Sequence, residues 1–245
     1  MTTGWLARYL DGETVAVWAE MVALDDGIRA DRTDEAKAVA EETMSRVARN
    51  VDILIDRLQQ VGYQFQRPDA AHVSPSADTL RALDQVVARF VPIPLSLDAF
   101  YRVVGSVNFT QSWGQLVHYH RPERSSASEV EILGEQDPLV VLPLDPEPDE
   151  HSQAGAAMFF FAPDEFHKAN YSGGENYHVL LPDASADFPI HGMYGLDELF
   201  VSYLRLTFLG GGFRGRIVSA TEDYVLKPRP DLRLTDSLAE GLLLI

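Results

Sequence analysis

The chain has 245 residues, 46% of them hydrophobic, and a formal net charge of −17 at pH 7, a composition that excludes disorder over most of its length. It has no cysteine, which excludes disulfides, thiolate metal sites and cysteine nucleophiles and agrees with the cytoplasm, where we expect the protein to lie. No window reaches the roughly eighteen apolar residues that a membrane span needs, and the negative charge disfavours binding to nucleic acid.

The first part of the chain, residues 1–75, has the periodicity of helices. Between Thr33 and Val61, apolar residues recur at three- and four-residue spacings, which predicts one long helix with a single apolar stripe. Thr33 is a suitable N-cap, and Gly62 can take the left-handed conformation that ends a helix. A shorter helix is predicted before it, at about residues 13–24.

Two more helices are predicted before the pattern changes. Ser74, Pro75 and Ser76 provide the cap and the first turn of a helix that must end before Pro92. Ser96 can then cap a helix of two turns. A helical N-terminal region is therefore followed directly by helices that belong to the second part of the chain.

From about residue 107, short apolar runs separated by turns predict strands. The runs are residues 107–109, 116–120, 139–144, 156–161 and 177–181. A last helix is predicted at about residues 196–209, followed by the segment 210–215, in which we expect Phe213 to pack on the core and Arg214 and Arg216 to be exposed. These patterns predict an α+β fold, with a helical N-terminal region at residues 1–75 and a mixed or antiparallel sheet with flanking helices at residues 76–245. One continuous domain is the alternative.

Negative charge is concentrated in residues 129–200, here called the acidic stretch. Fifteen acidic side chains and a single basic one, Lys168, give it −14 of the formal charge of −17. Because the stretch also contains strand-forming runs, we expect its charge to lie on a folded surface that favours cationic partners. Solubility or adaptation to salt would explain the acidity equally well. The candidate partner-binding residues are Glu129, Glu131, Glu135, Asp137, Asp145, Glu147, Asp149, Glu150 and Trp113.

Two other groups of side chains suggest chemistry. His118 and His120 alternate on a predicted strand and would point to the same side, as a metal-binding pair does, but no recognised ligand spacing accompanies them. We therefore assign no catalytic residue, metal or cofactor. In residues 162–174, Lys168, Asn170 and Ser172 could form a small anion pocket with glycine amides, although ordinary turn chemistry explains the same residues.

Residues 94–108, PLSLDAFYRVVGSVN, resemble a pattern near the start of the SUKH superfamily of interaction domains. In that family a proline precedes a short helix, and a turn with glycine or asparagine leads into the first strand. The matching residues are Pro94, Phe100, Tyr101, Val104, Gly105 and Asn108, and the resemblance extends over about residues 82–215. The chain is also similar to bacterial proteins of unknown function that combine this segment with DPLVV, residues 137–141, and HKxNxSGG, residues 167–174.

The SUKH resemblance implies a non-enzymatic binding module, since many bacterial relatives are immunity proteins that neutralise toxin domains, often nucleases. A nuclease presents cationic surface to attract phosphates, so an acidic face would bind it with a fast, salt-sensitive association. We therefore expect a basic protein partner and neither nucleic acid nor membrane. The alternatives are a metal-dependent hydrolase or small-ligand-binding protein that uses His118 and His120, and a structural subunit of a larger assembly.

Overall fold

The fold is α+β, with an N-terminal group of helices followed by helices and short antiparallel strands. A computed structural model describes residues 4–24, 28, 32–112, 128–145, 152–153, 156–170, 174–193, 198–215, 217–220, 223–226 and 233–245. The predicted strand at residues 116–120 lies outside these ranges.

The described helices and strands are numbered in chain order. Helices α1 to α9 are Trp5–Leu10, Thr14–Val22, Thr33–Gln60, Ala77–Phe90, Leu95–Val103, Glu129–Leu133, Glu165–Lys168, Phe200–Leu209 and Arg233–Ala239. Strands β1 to β8 are His72–Val73, Ser106–Asn108, Val140–Val141, Ser152–Gln153, Ala156–Ala162, Tyr177–Leu181, Ile217–Ala220 and Asp223–Leu226. The long helix, the helix before Pro92 and the strand at residues 177–181 confirm the sequence prediction.

Helix α3 supplies the longest apolar surface of the N-terminal part. Its buried side chains recur at helical spacing, as Val47, Val51, Leu54 and Leu58 show. Each buried aliphatic side chain contributes roughly 1.5–3 kcal/mol relative to an exposed one. The buried residues form one cluster that runs from Trp5 to Ile245, so the core crosses the expected boundary at residue 75.

The strands form three small antiparallel sheets within the described residues. The first has the order β1-β2-β3, the second β4-β5-β6, and β7 and β8 form a hairpin. The amide of Leu142, just after β3, donates to the carbonyl of Phe161 in β5 at 2.7 Å. This bond places the end of the first sheet beside the second sheet.

Three local predictions need correction. Ser96 does not cap α5, whose N-cap is Pro94, because its hydroxyl is buried and donates to Asp187 Oδ1 at 2.8 Å. Within residues 139–144 only Val140–Val141 form a strand. Arg214 is buried instead of exposed, since it forms an ion pair inside the fold, whereas Phe213 is buried as predicted. The β7–β8 hairpin and α9 were not predicted from the sequence.

The last residues of the chain are held against α3 by its polar side chains. The Asn50 amide donates to the carbonyl of Leu243 at 2.9 Å and accepts from the amide of Leu243 at 2.8 Å. Arg46 Nη1 donates to the carbonyl of Leu244 at 3.0 Å, and Ile245 is buried. The last residues of the chain therefore cover the side of α3 that carries Arg46 and Asn50.

Candidate functional site

Much of the acidic stretch is folded inward. Among those of its fifteen acids whose burial the structure describes, six are buried, which corrects the expectation that this charge lies on the surface. They are Glu135, Asp137, Asp164, Glu165, Asp187 and Glu198. A buried carboxylate is tolerated only where hydrogen bonds or opposite charge replace its water, so the partners of these acids decide what they can do.

The centre of the buried network is an ion pair between Asp137 and Lys168. Lys168 Nζ lies 2.6 Å from Asp137 Oδ1, and the two side chains are 0% and 1% exposed. The same ammonium donates to the Tyr203 hydroxyl at 3.2 Å and lies 4.5 Å from the centre of the Tyr177 ring. Lys168 is therefore fully occupied by internal partners, and the anion pocket considered from the sequence is wrong for this residue.

Tyr177 connects this pair to a second carboxylate. Its hydroxyl donates to Glu165 Oε2 at 2.8 Å and lies 3.4 Å from Asp137 Oδ2. A phenol has one hydrogen, so it can donate fully to only one of these carboxylates at a time. Burial raises the pKa of the Glu165 carboxyl and raises the pKa of the Tyr177 hydroxyl. We refer to the five residues Asp137, Glu165, Lys168, Tyr177 and Tyr203 as the Asp137–Lys168 cluster.

The backbone around Asp137 is fixed from both sides. Asp137 has φ of 52°, in the left-handed region that few residues other than glycine adopt. Its carbonyl accepts from the amide of Arg214 at 3.1 Å, and the amide of Leu139 donates to the carbonyl of Gly212 at 3.0 Å. The glycine-rich segment after α8 thus holds the DPLVV segment in place.

The short helix α7 carries two members of the cluster, Glu165 and Lys168. Asp164 is its N-cap and accepts from the amides of Phe166 and His167 and from the His167 ring. Gly174 passes so close to this cap that a Cβ there would lie 2.5 Å from Asp164 Cγ. His167 and Gly174, near the two ends of the HKxNxSGG segment, therefore both lie against Asp164, and the lysine of this segment reaches the aspartate of DPLVV.

Two more buried carboxylates have defined partners. Glu198 Oε2 lies 2.5 Å from Arg214 Nε, and both side chains are buried. Asp187 accepts from the Ser96 hydroxyl and from the amides of Phe188 and Val201. Burial raises the pKa of Asp187 to about 6. Each of these carboxylates links segments that are distant in sequence.

The predicted partner-binding residues do not form one exposed set, because some are exposed, some are buried and some lie outside the described residues. Glu129 and Asp145 are exposed, but Glu135 and Asp137 are buried and cannot contact a partner through their side chains, a correction to the predicted site. Glu131 belongs to α6, with its side chain outside the described part. Trp113, His118, His120, Glu147, Asp149 and Glu150 lie outside the described residues.

Sequence reasoning missed Tyr177, Tyr203 and Arg214 as polar members of the interior. The sequence did contain one signal for the buried ion pair. Lys168 is the single basic residue in a stretch with fifteen acids, so it is a natural partner for one of them. Within the described ranges, no group of three or more histidine or acidic side chains could hold a metal ion. No helix in the same ranges is long and apolar enough to cross a membrane.

Comparison of the chain with protein-family models, with curated proteins and with solved structures found no match.

Proposed function

We propose that the protein is a non-enzymatic protein-binding module of the immunity type that presents acidic surface to a basic protein partner. The observation that supports this proposal is the burial of Lys168 on Asp137. Because Lys168 is the only basic residue of the acidic stretch, this stretch adds no cation of its own to the surface. Its acids Glu129, Asp145 and Glu175 are exposed and contribute negative potential to the surface.

The division between buried and exposed acids also supports a binding role. The buried acids have internal partners, so the needs of the fold account for them. Exposed acids contribute little to folding, with surface substitutions usually within about 0.5 kcal/mol. Glu129 and Asp145 remain the candidate contacts in the described part of the chain, and the other predicted residues outside it stay predictions. Glu135 and Asp137 are removed from the proposed contact set.

Affinity capture on the immobilised chain, with identification of the retained proteins, tests this proposal. We expect a basic partner whose retention falls steeply as salt rises, because screening weakens association between exposed charges. The double variant Glu129→Lys/Asp145→Lys should lose most of this retention. The matched control is Glu41→Lys, which reverses an exposed acid on α3. Retention of only neutral or acidic proteins, or an equal loss in the α3 control, would contradict the proposal.

A further inference from the structure

The Asp137–Lys168 cluster contains the parts of a reactive site as well as those of an ion pair. A lysine nitrogen lies 2.6 Å from a carboxylate oxygen, and both side chains are excluded from solvent. A second buried carboxyl group, Glu165, reaches the pair through one phenol. We propose that Lys168 and Asp137 form an intramolecular isopeptide bond, in which Lys168 Nζ is joined to Asp137 Cγ as an amide.

The surroundings favour a neutral product over two buried charges. Two aromatic rings, those of Tyr177 and Tyr203, lie 4.5 and 5.5 Å from the lysine nitrogen. An ion pair in such surroundings has given up much of its hydration, which its mutual attraction only partly replaces. Conversion to an amide removes both charges and keeps a polar group that the Tyr203 hydroxyl, 3.2 Å from Nζ, can still contact.

The reaction balances without an oxidant or any other reactant. One proton passes from the Lys168 ammonium to the Asp137 carboxylate, which gives a neutral amine and a neutral carboxylic acid. The nitrogen lone pair then attacks Cγ and forms the C–N bond. The C–O bond to the hydroxyl oxygen breaks as that oxygen gains a second proton and leaves as water, while the nitrogen releases one proton to the same hydrogen-bonded groups, so that their total number of protons is unchanged. The ammonium thus loses two hydrogens to water and keeps one on the amide.

Tyr177 is placed to carry a proton during this transfer. Its hydroxyl lies between Asp137 Oδ2 at 3.4 Å and Glu165 Oε2 at 2.8 Å, so a proton can pass along this chain to the oxygen that leaves. Glu165 acts through Tyr177 and is therefore a positioning residue. Glu165 Oε1 is buried and has no hydrogen-bond partner among the described residues, which leaves this carboxyl free to bind a proton.

The strained backbone of Asp137 preorganises the encounter. A non-glycine residue at φ of 52° persists only where its surroundings fix it, and the amides and carbonyls of residues 212–215 do so here. Holding the two reacting groups in contact converts a slow intermolecular amide formation into an intramolecular one. Such positioning raises the effective concentration of one reacting group at the other to roughly 10⁵–10⁸ M in well-oriented systems.

Trypsin digestion of the denatured protein tests the bond directly. Lys168 is the only basic residue between Arg124 and Arg205, so the unlinked chain gives two peptides, residues 125–168 and 169–205. An amide at Lys168 blocks this cleavage, and we expect one peptide, residues 125–205, lighter than its sequence by one water. Fragmentation should place the link between Asp137 and Lys168. Complete cleavage after Lys168, with both peptides at their unmodified masses, would overturn the proposal.

Two controls separate the amide from chemistry that resembles it in this digest. Acylation of Lys168 by a small molecule also blocks trypsin but increases the mass, so a heavier 125–205 peptide counts against the bond. Asp137 cannot lose water by forming a succinimide, because the next residue, Pro138, has no amide hydrogen. The variant Lys168→Arg keeps a cation but should show no loss of water in this region. A water-deficient peptide in Lys168→Arg would overturn the assignment.

The role of Glu165 needs a kinetic readout that a purely structural role would not change. The linked fraction is followed with time after cell-free synthesis of the full chain at several pH values. We expect Glu165→Gln to form the bond roughly 100-fold more slowly and to lose the pH dependence of the rate. The same rate and the same pH profile in both proteins would refute this role for Glu165.

Discussion

Helix α3 and the acidic stretch place their charges in opposite ways. In α3 the charged residues Glu41, Arg49 and Asp56 are exposed and the apolar stripe is buried, as the helical period predicts. In the described part of the acidic stretch six carboxylates are buried, where side chains and backbone amides compensate them. Hydrophobic periodicity therefore indicates which positions of a helix exclude charged side chains. The number of charged residues in a segment does not show which of them are buried in ion pairs.

The two regions also depend on their surroundings in different ways. An apolar side chain gains free energy from burial against almost any apolar neighbour, so α3 tolerates some variation in its contacts. A buried carboxylate is stable only with its own partner, and removing that partner leaves an uncompensated charge. Single substitutions in each region, followed by unfolding measurements, can therefore confirm or refute this difference.

The largest effect is expected for Lys168→Met. The variant leaves the buried Asp137 carboxylate without Lys168, which neutralises it as an ion pair or as an amide, and this should lower the free energy of unfolding by about 3–5 kcal/mol. Denaturant unfolding measures this loss. Lys37→Met, at an exposed position of α3, is the matched control and should stay within about 0.5 kcal/mol. The double variant Lys168→Met/Asp137→Asn should recover part of the stability, and an additive loss would show that the two side chains are not coupled.

Leu54→Ala tests the apolar side of the comparison. Leu54 is fully buried on α3, so the cavity should cost roughly 2–5 kcal/mol. This loss should not change with pH, because no titratable group is removed. Unfolding curves at pH 5 and pH 8 give the comparison, and a strong pH dependence of the Leu54→Ala loss would break the proposed distinction.

Asp187 should give the acidic stretch a pH dependence of unusual sign. Its folded pKa of about 6 lies above the ordinary value of 3.8, so the folded protein binds this proton more tightly than the unfolded chain does. The contribution is fully present below about pH 4 and is lost as pH rises through about 6, a change of about 3 kcal/mol. The free energy of unfolding from pH 4 to 7, measured for the wild type and for Asp187→Asn, isolates the contribution of Asp187. Parallel pH profiles would refute the assignment.

The smallest effect is expected at a helix cap remote from the buried charges. Ser76 accepts from the amide of Thr79, and the Thr79 hydroxyl accepts from the amide of Ser76, which forms a capping box on α4. Ser76→Ala should cost about 1 kcal/mol in thermal or denaturant unfolding. Ser74→Ala, an exposed serine two residues earlier, should cost much less. Equal losses in both variants would assign the effect to the loop instead of the cap.

The sequence predicted the α+β class, the long helix α3 and strand β6 because each depends on local periodicity and local end signals. It did not predict the burial of Asp137, Glu165 or Arg214, because each depends on partners far away in sequence. Ser96 shows the same limit, since its local pattern indicates a cap while its partner Asp187 lies 91 residues away. The short strand β3 also follows from tertiary pairing, which a run of apolar residues does not specify.

The contact between Asn50 and Leu243 constrains the order in which the protein folds. Asn50 is buried in the middle of α3, and its amide is satisfied by a backbone that lies 193 residues further along the chain. During synthesis at roughly 5–20 residues per second, α3 must wait about ten seconds or more before this partner leaves the ribosome. Until then a polar group lies on a helix face that the finished fold covers. The nascent chain therefore completes the packing of its first long helix only when residues 233–245 arrive.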